Sequence, residues 1–229
     1  MPFRLAFRLL RAAALVLLLL GAAIVIAFVV GKPYLEDEAG KVISRQLGGV
    51  GARVSVSPKL GFSLLNGEIG DVTVKTDGFL RQGLRIASVS ATYRNASVSP
   101  SELLGGHASV RYSAVDLRAD TGQPALQRYV RARLKLRGVP NASAAKVRVH
   151  TGGFTVTLAG LSVEGRATVV PPATVKLTAI SGPSVLRSAL TERINLAPLP
   201  AGVKLTAVEL TAGHAAVTGN AQAGSVSVR

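Results

Sequence analysis

The amino-acid sequence begins with a long apolar stretch, and most of the remaining chain alternates between apolar and polar residues. Ala12–Val30 comprises nineteen consecutive residues without a charged or polar side chain. An α-helix rises about 1.5 Å per residue, so a helix of this length spans about 30 Å, the thickness of the hydrocarbon core of a bilayer. The pattern predicts one transmembrane helix.

The charges that flank this helix predict its orientation. Arg4, Arg8 and Arg11 precede it on a short segment, and positively charged residues beside a membrane span favour the cytoplasmic side. We therefore expect a single-pass plasma-membrane protein whose C-terminal domain is extracytoplasmic, in the periplasm or cell envelope. A secretory signal cleaved after Ala27 or Gly31 is the alternative, and it also predicts export. A buried core helix is a third interpretation, although the segment has no polar face.

Helical periodicity recurs in three later segments, where apolar residues return every three or four positions. The first runs from Pro33 to Leu47, the second begins at Pro124, and the third covers Ser184–Leu196. The end of the second helix stays open, because Ala132–Arg137 also alternates with the period of a strand.

In the rest of the chain after the predicted anchor, apolar and polar residues mostly alternate. This period of two is typical of strands with one apolar and one polar face. The predicted strands are Arg53–Ser57, Ile69–Lys75, Leu84–Tyr93, Ser109–Leu117, Lys146–Thr151, Phe154–Leu158, Leu161–Val169, Thr174–Ile180, Lys204–Thr211 and Ala215–Gly219. Turns are expected at Asn66-Gly67 and Asp77-Gly78, among others. The predicted organisation is a basic tail with the anchor or signal at residues 1–31, a single extracytoplasmic domain at 32–220 and a flexible tail at 221–229.

Composition and charge narrow the class of partner. The sequence contains no cysteine, so neither disulfides nor a cysteine metal site stabilises the exterior. All twelve acidic residues but only 24 of the 27 basic residues follow the anchor, which leaves a net charge of +12 outside the membrane. An anionic partner is expected. Nucleic acid is a poor candidate, because the chain is exported and lacks tryptophan and RNA-binding motifs, whereas anionic lipid headgroups fit the location.

Catalytic and metal-binding patterns are missing from the sequence. The three histidines, His107, His150 and His214, are far apart, without the close spacing of a zinc site. The sequence contains no Gly-x-Ser-x-Gly elbow and no phosphate-binding glycine-rich loop followed by lysine. We therefore expect a protein that is not an enzyme, with no metal and no cofactor.

Several segments resemble one known family. The anchor with its following helix, the Leu-Leu-Asn-Gly-Glu-Ile sequence at Leu64–Ile69, the Leu-Pro-Ala-Gly-Val sequence at Leu199–Val203 and the hairpin at Val208–Gly219 resemble the LmeA-like phospholipid-binding proteins of bacterial cell envelopes. The resemblance implies an α+β domain similar to tubular lipid-binding domains. In such a domain a long curved antiparallel β-sheet wraps around two or three helices and leaves an apolar groove. The transmembrane helix would precede this domain.

Two sets of residues are candidates for a lipid site. The apolar face of the predicted sheet would form an acyl-chain groove, or else a filled core, from Val54, Val56, Phe62, Leu64, Val72, Val74, Ile86, Val89, Leu161 and Val163. The cations of the second helix would contact lipid headgroups or the membrane surface, or else form a solvated face; these are Arg128, Arg131, Arg133, Lys135 and Arg137.

The expected function is phospholipid binding by a membrane-anchored extracytoplasmic protein, which carries or presents lipid for assembly of the cell envelope. Phospholipid and the membrane are the expected partners. Two alternatives stay open. One is a non-catalytic envelope scaffold that binds acidic polysaccharide or a partner protein, and the other is a lipid hydrolase.

Overall fold

A computed structural model describes residues 52–58, 67–99, 108–197, 199 and 202–228. Within these ranges the chain forms eleven strands, two α-helices and one short 3₁₀ turn at Ala142–Ala144. In chain order the elements are β1 (Ala52–Pro58), β2 (Glu68–Arg81), β3 (Leu84–Val98), β4 (Ala108–Gly122), α1 (Gln123–Leu136), β5 (Lys146–His150), β6 (Gly153–Leu158), β7 (Leu161–Val170), β8 (Thr174–Ala179), α2 (Ser184–Leu190), β9 (Glu192–Asn195), β10 (Lys204–Thr211) and β11 (His214–Val228). The predicted anchor and the predicted helix at Pro33–Leu47 lie outside the described residues.

The strands form two antiparallel sheets. The larger has the order β1-β2-β3-β4-β11-β10, and the smaller has the order β5-β6-β7-β8-β9. The predicted α+β class, mostly antiparallel sheet with two helices, is confirmed. The described strands do not form the single long sheet that was expected, because the chain leaves the larger sheet through α1 and starts a separate one at β5, while β11 returns to pair with β4.

Pairing between strands overrides several local signals in the sequence. Asp77-Gly78 is not a turn: β2 continues past it to Arg81, and a Cβ at Gly78 would lie only 2.6 Å from the carbonyl oxygen of Ile86 on β3. The turn lies instead at Gln82-Gly83, where both residues have positive φ, 48° and 84°, as a type I′ hairpin requires. Likewise β11 pairs with β4 as far as Val228, so residues 221–228 belong to the sheet and do not form the expected flexible tail.

The helices end where local hydrogen bonds stop them. In α1, the N–H groups of Gly138 and Val139 donate to the carbonyls of Lys135 and Leu134, and Gly138 has φ of 70°. This Schellman motif keeps the segment helical to Leu136 and resolves the open boundary. The third predicted helix, Ser184–Leu196, is shorter than expected: α2 ends at Leu190, and Glu192–Asn195 pairs with β8 as a strand.

Helix α1 also covers the free edge of the smaller sheet. The side-chain oxygens of Gln123 and Gln127, one turn apart on α1, accept hydrogen bonds from the N–H groups of Val149 and Val147 at 3.2 Å each. These are edge groups of β5, which would otherwise lack a partner strand on that side. The edge of β5 therefore lies beside α1.

The core lies between the two sheets and continues under the helices. One cluster joins Val72 and Val115 of the larger sheet to Val175 of β8, and a second packs Leu134 of α1 with Val163 of β7 and the buried face of α2. Three partly buried side chains, Val89, Leu177 and Leu196, pack against both clusters. These three side chains lie where the two clusters meet and are less buried than the clusters themselves.

A buried tyrosine makes the stability of this core dependent on alkaline pH. Burial, and then the neighbouring Tyr112, raises the pKa of Tyr93 from 10.0 to about 12. Its ring meets Tyr112 edge to face with 5.5 Å between centroids. The folded protein therefore holds the phenolic proton more tightly than the unfolded chain, and stability is complete below pH 10 and lost as pH rises towards 12.

We expect the free energy of unfolding to fall by about 2 kcal/mol through this group alone between pH 10 and 12, since one pKa unit corresponds to about 1.4 kcal/mol and the group is half ionised in one of the two states at each end of this range. Urea unfolding at pH 8, 10 and 11.5 measures the loss. The loss of unfolding free energy at alkaline pH should be smaller in Tyr93→Phe than in the wild type. Equal pH dependence of the two proteins would contradict this assignment.

Candidate functional site

A cavity lies between the two sheets, against the inner side of α1. Its volume is about 70 Å³. Its walls are almost entirely apolar and come from three elements of the fold. Representative lining residues are Ile86 and Val217 from the larger sheet, Phe154 and Leu177 from the smaller sheet, and Tyr129 and Val130 from α1.

The cavity exists because small side chains face each other across the layers. Ala119 and Ala215 line it from the larger sheet, and Ala167 lines it from the smaller one. Phe154, which is large enough to fill the space, instead lies over Gly165, its cross-strand partner. A Cβ at Gly165 would lie within 2.2 Å of Cζ of Phe154, so only glycine permits this ring position.

The size of the cavity limits what it can hold. A dry cavity of about 150 Å³ admits benzene, and one water needs roughly 10–15 Å³. The space between the sheets therefore accommodates a few methylene groups of a hydrocarbon chain, and a longer stretch requires the sheets to move apart. Apolar walls disfavour water there.

The structure separates the residues predicted for an acyl groove. Ile86 lines the cavity, and Val89 packs where the two core clusters meet. The other described members lie elsewhere: Val54, Val72 and Val74 are buried in the first cluster, Val163 is buried in the second, and Leu161 is half exposed. Phe62, Leu64 and the side chain of Val56 lie outside what the structure describes.

Sequence reasoning missed the residues that create the space. Ala119, Ala167 and Ala215 line the cavity from β4, β7 and β11, and small inward residues carry a weak hydrophobic signal. Tyr129 was missed because its position on α1 indicates only a core residue. A search for alanines that share the inward face of a strand with large apolar residues would have found Ala119 and Ala167.

The cations predicted to contact headgroups divide into two groups. Arg128 and Lys135 are exposed on α1. The other three contact protein groups: Arg131 donates through Nε to the carbonyl of Ala145 at 2.8 Å, Arg137 donates to the carbonyl of Ser188 at 2.9 Å, and Arg133 pairs with Glu192. The exposed Lys146 and Arg148 of β5 extend the positive surface, and residues 121–163 contain no acidic side chain.

Two charged side chains, from α1 and β9, lie next to Tyr129. The Arg133 guanidinium is 2.9 Å from a carboxylate oxygen of Glu192, and both side chains are largely buried. Cζ of Arg133 lies 5.2 Å from the ring centroid of Tyr129, which itself lines the cavity. Burial raises the pKa of Tyr129 above its usual value.

Two further features concern only the part of the chain that the structure describes. No group of three or more His, Cys, Asp or Glu side chains is placed to hold a metal ion there. Neither α1 nor α2 is long and apolar enough to cross a membrane; the predicted span at Ala12–Val30 lies outside the described ranges.

Two packed antiparallel sheets, an apolar cavity between them and a basic outer surface define a protein suited to an apolar or amphipathic ligand. The family model of LmeA-like phospholipid-binding proteins matches residues 29–220. The chain therefore belongs to the LmeA-like phospholipid-binding family, as the resemblance in its sequence indicates. The family is described by binding and not by catalysis. No curated protein and no solved structure matched the chain.

Proposed function

We propose that this protein binds phospholipid without chemically altering it, with part of one acyl chain held in the cavity between the sheets. The observation that carries the proposal is the cavity itself, an apolar space in a chain of a phospholipid-binding family. Desolvation drives binding, because each buried methylene contributes about 0.8 kcal/mol. Four methylenes would thus contribute about 3 kcal/mol.

A longer stretch of acyl chain enters by separating the two sheets. The seam between the clusters, at Val89, Leu177 and Leu196, is only partly buried, so opening there disrupts fewer close contacts than opening either cluster. Flexible access of this kind matches the low-stability regions that proteins use for ligand entry. The lipid would then take the place of side-chain contacts across the seam.

The membrane is the second partner in this proposal. Arg128, Lys135, Lys146 and Arg148 form a basic surface on the outer side of α1 and β5, while the inner side of α1 lines the cavity. Each Lys or Arg beside an anionic leaflet contributes about 1 kcal/mol to association. This arrangement would hold α1 against the bilayer and bring lipid next to the cavity.

The proposed location is the outer side of the plasma membrane, in the periplasm or cell envelope. Ala12–Val30 would anchor the protein as a single-pass helix with its arginines on the cytoplasmic side. Tethering keeps the binding domain beside its lipid source. The protein would carry or present phospholipid to the reactions that assemble the envelope.

Lipid extraction tests the proposal. Residues 32–229, purified after expression in bacteria and extracted with organic solvent, should release phospholipid at close to one molecule per chain, as counted by mass spectrometry. Incubation of the protein with isotope-labelled phospholipid should leave that lipid intact. Release of fatty acid or headgroup over time would instead indicate a hydrolase. A protein that carries no phospholipid and takes up none would contradict lipid binding.

A further inference from the structure

Three apolar side chains are more exposed than any other large apolar side chain in the described part of the chain. They are Leu136 on α1, Leu80 near the end of β2 and Val185 on α2, with exposed fractions of 76%, 71% and 69%. Single exposed apolar residues are common on soluble proteins, whereas a group of them indicates a surface that binds a partner or a membrane. Their positions relative to one another therefore decide how they are interpreted.

All three lie on segments that contact the second half of α1. In the β2–β3 turn, a Cβ at Gly83 would lie 4.0 Å from the ring of Tyr129. On α2, the carbonyl of Ser188 accepts a hydrogen bond from Arg137 at 2.9 Å. These two contacts are eight residues apart on α1, or about 12 Å along the helix. The exposed apolar residues of the turn and of α2 each lie three positions before these contacts, and Leu136 precedes Arg137. The three residues therefore lie on adjoining segments.

Exposed cations accompany each of these apolar residues. The cations are Arg85, opposite Leu80 on the paired strand, Lys135 and Arg137 on either side of Leu136, and Arg187, two residues from Val185. Residues 78–87, 121–163 and 182–191, which contain these segments, include no acidic residue. None of the four cations forms a salt bridge with a described carboxylate. Their charge is thus available to an external anion.

Aliphatic side chains surrounded by cations fit the interface of an anionic bilayer. The apolar groups lie at the boundary between headgroups and acyl chains, and the cations attract the anionic lipids. The same charge complementarity disfavours a basic or purely apolar protein partner. The inner side of this part of α1 lines the cavity through Tyr129 and Val130. A bilayer at the second half of α1 would therefore lie next to the proposed acyl site.

We propose that Leu80, Leu136 and Val185 insert together into the interface of an anionic bilayer, while the cations beside them contact lipid phosphate groups. The inference rests on the proposed association with the membrane. It adds an apolar contact that the basic surface of α1 and β5 does not provide. Insertion also fixes the orientation of the domain, with the β2–β3 turn, the end of α1 and α2 towards the lipid.

Single cysteines can report which part of the domain enters the bilayer, because the chain contains none. The test variants are Leu80→Cys, Leu136→Cys and Val185→Cys, each labelled with an environment-sensitive fluorophore. Ala132→Cys places the label on the exposed side of α1 without removing a charge. Ser225→Cys is the control, because this exposed residue of β11 pairs with the start of β4, about 40 Å along that strand from α1.

The full chain of each variant is reconstituted into vesicles of phosphatidylglycerol and phosphatidylcholine. A nitroxide quencher is placed on the headgroup of some lipids in one set of vesicles, and near the start of one acyl chain in another set. We expect the acyl-chain quencher to lower the fluorescence of the three test labels at least about twofold, since inserted apolar groups lie about 5–10 Å into the interface. The Ala132 label should respond only to the headgroup quencher, and the Ser225 label to neither.

Vesicles of phosphatidylcholine alone should give weaker quenching of all three test labels, because the cations attract only anionic lipid. Circular dichroism of each labelled variant should match that of the wild type, since all the substituted positions are exposed. Acyl-chain quenching that is as strong at Ser225 as at the three test positions would contradict insertion through this surface.

The outcomes that overturn the inference differ from those that overturn the proposed function. If the Ala132 label responds to the headgroup quencher and the three test labels respond to neither quencher, membrane contact stands and insertion is wrong. If no label responds, the proposed membrane contact fails as well, whereas lipid extraction tests phospholipid binding independently. If the test labels shift to the blue with rising protein concentration in detergent and stay unquenched in vesicles, a second copy of the chain covers this surface and the inference is overturned.

Discussion

Replacing Ala119 with leucine should lower the phospholipid bound by residues 32–229 at least about tenfold, with no loss of stability. Ala119 lines the cavity from the larger sheet. Leucine adds three carbons in a space of about 70 Å³, so it would occupy the volume assigned to the acyl chain. Losing two or three methylene contacts with the ligand removes about 2 kcal/mol of binding.

Filling a dry cavity should stabilise the protein. Three buried carbons contribute about 2.4 kcal/mol by transfer, and the lost rotamer freedom of leucine offsets about 0.5–1 kcal/mol. We therefore expect the free energy of unfolding to rise by about 1–2 kcal/mol. Ala167→Leu should act in the same way from the opposite wall, since Ala167 lines the cavity from β7.

A matched substitution in the filled core controls for overpacking. Ala91 on β3 is buried in the first core cluster, and Ala91→Leu should cost about 1–3 kcal/mol because no space receives the side chain. The Ala91 variant should still bind lipid when folded. Urea unfolding measures the stability of the three variants, and lipid extraction measures the phospholipid that each one binds. Unchanged lipid content in both Ala119→Leu and Ala167→Leu would contradict binding of the acyl chain in the cavity.

The second large effect should come from the basic surface. Arg128→Gln, Lys135→Gln and Arg148→Gln together should weaken association of residues 32–229 with anionic vesicles about a hundredfold, because three cations contribute about 3 kcal/mol beside an anionic leaflet. These three side chains are exposed. Arg131 is left in place because its hydrogen bond to Ala145 serves the fold.

A triple variant with the same charge change tests whether position matters. Lys75, Arg166 and Lys204 are exposed cations on β2, β7 and β10, and their replacement by glutamine should weaken vesicle association much less. Neutral vesicles should bind both variants alike, and high salt should shrink the difference. Sedimentation at two ionic strengths measures this. Equal losses in the two triple variants would reduce the effect to net charge and contradict a membrane-facing surface.

Sequence alternation predicted individual strands well because each strand needs only its own apolar face. The pattern at Lys146–Thr151 corresponds to β5, and Leu161–Val169 corresponds to β7. Where pairing with a neighbouring strand determines the secondary structure, the local sequence pattern was not sufficient to predict it. Glu192–Asn195 continues a helical pattern in the sequence but becomes β9, because β8 offers it an open edge.

The site was harder to predict than the strands because it depends on which side chains of the two sheets face each other. Inward alanines such as Ala119 and Ala167 are unremarkable singly, and they leave a cavity only because they lie in opposite sheets. The pairing of Arg133 with Glu192 joins α1 to β9, which are far apart in the sequence. The sequence alone shows that α1 is basic. The hydrogen bonds of Arg131 and Arg137 to backbone carbonyls could be identified only from the fold.

Photochemical labelling tests most directly whether an acyl chain lies between the sheets. A phospholipid with a diazirine at the end of one acyl chain would be bound to residues 32–229 and irradiated, and the modified peptides identified by mass spectrometry. The account predicts adducts on cavity residues from both sheets and α1, such as Ile86, Phe154 and Val130. Adducts confined to exposed apolar side chains, such as Leu80 and Leu136, with none on the cavity residues, would contradict it.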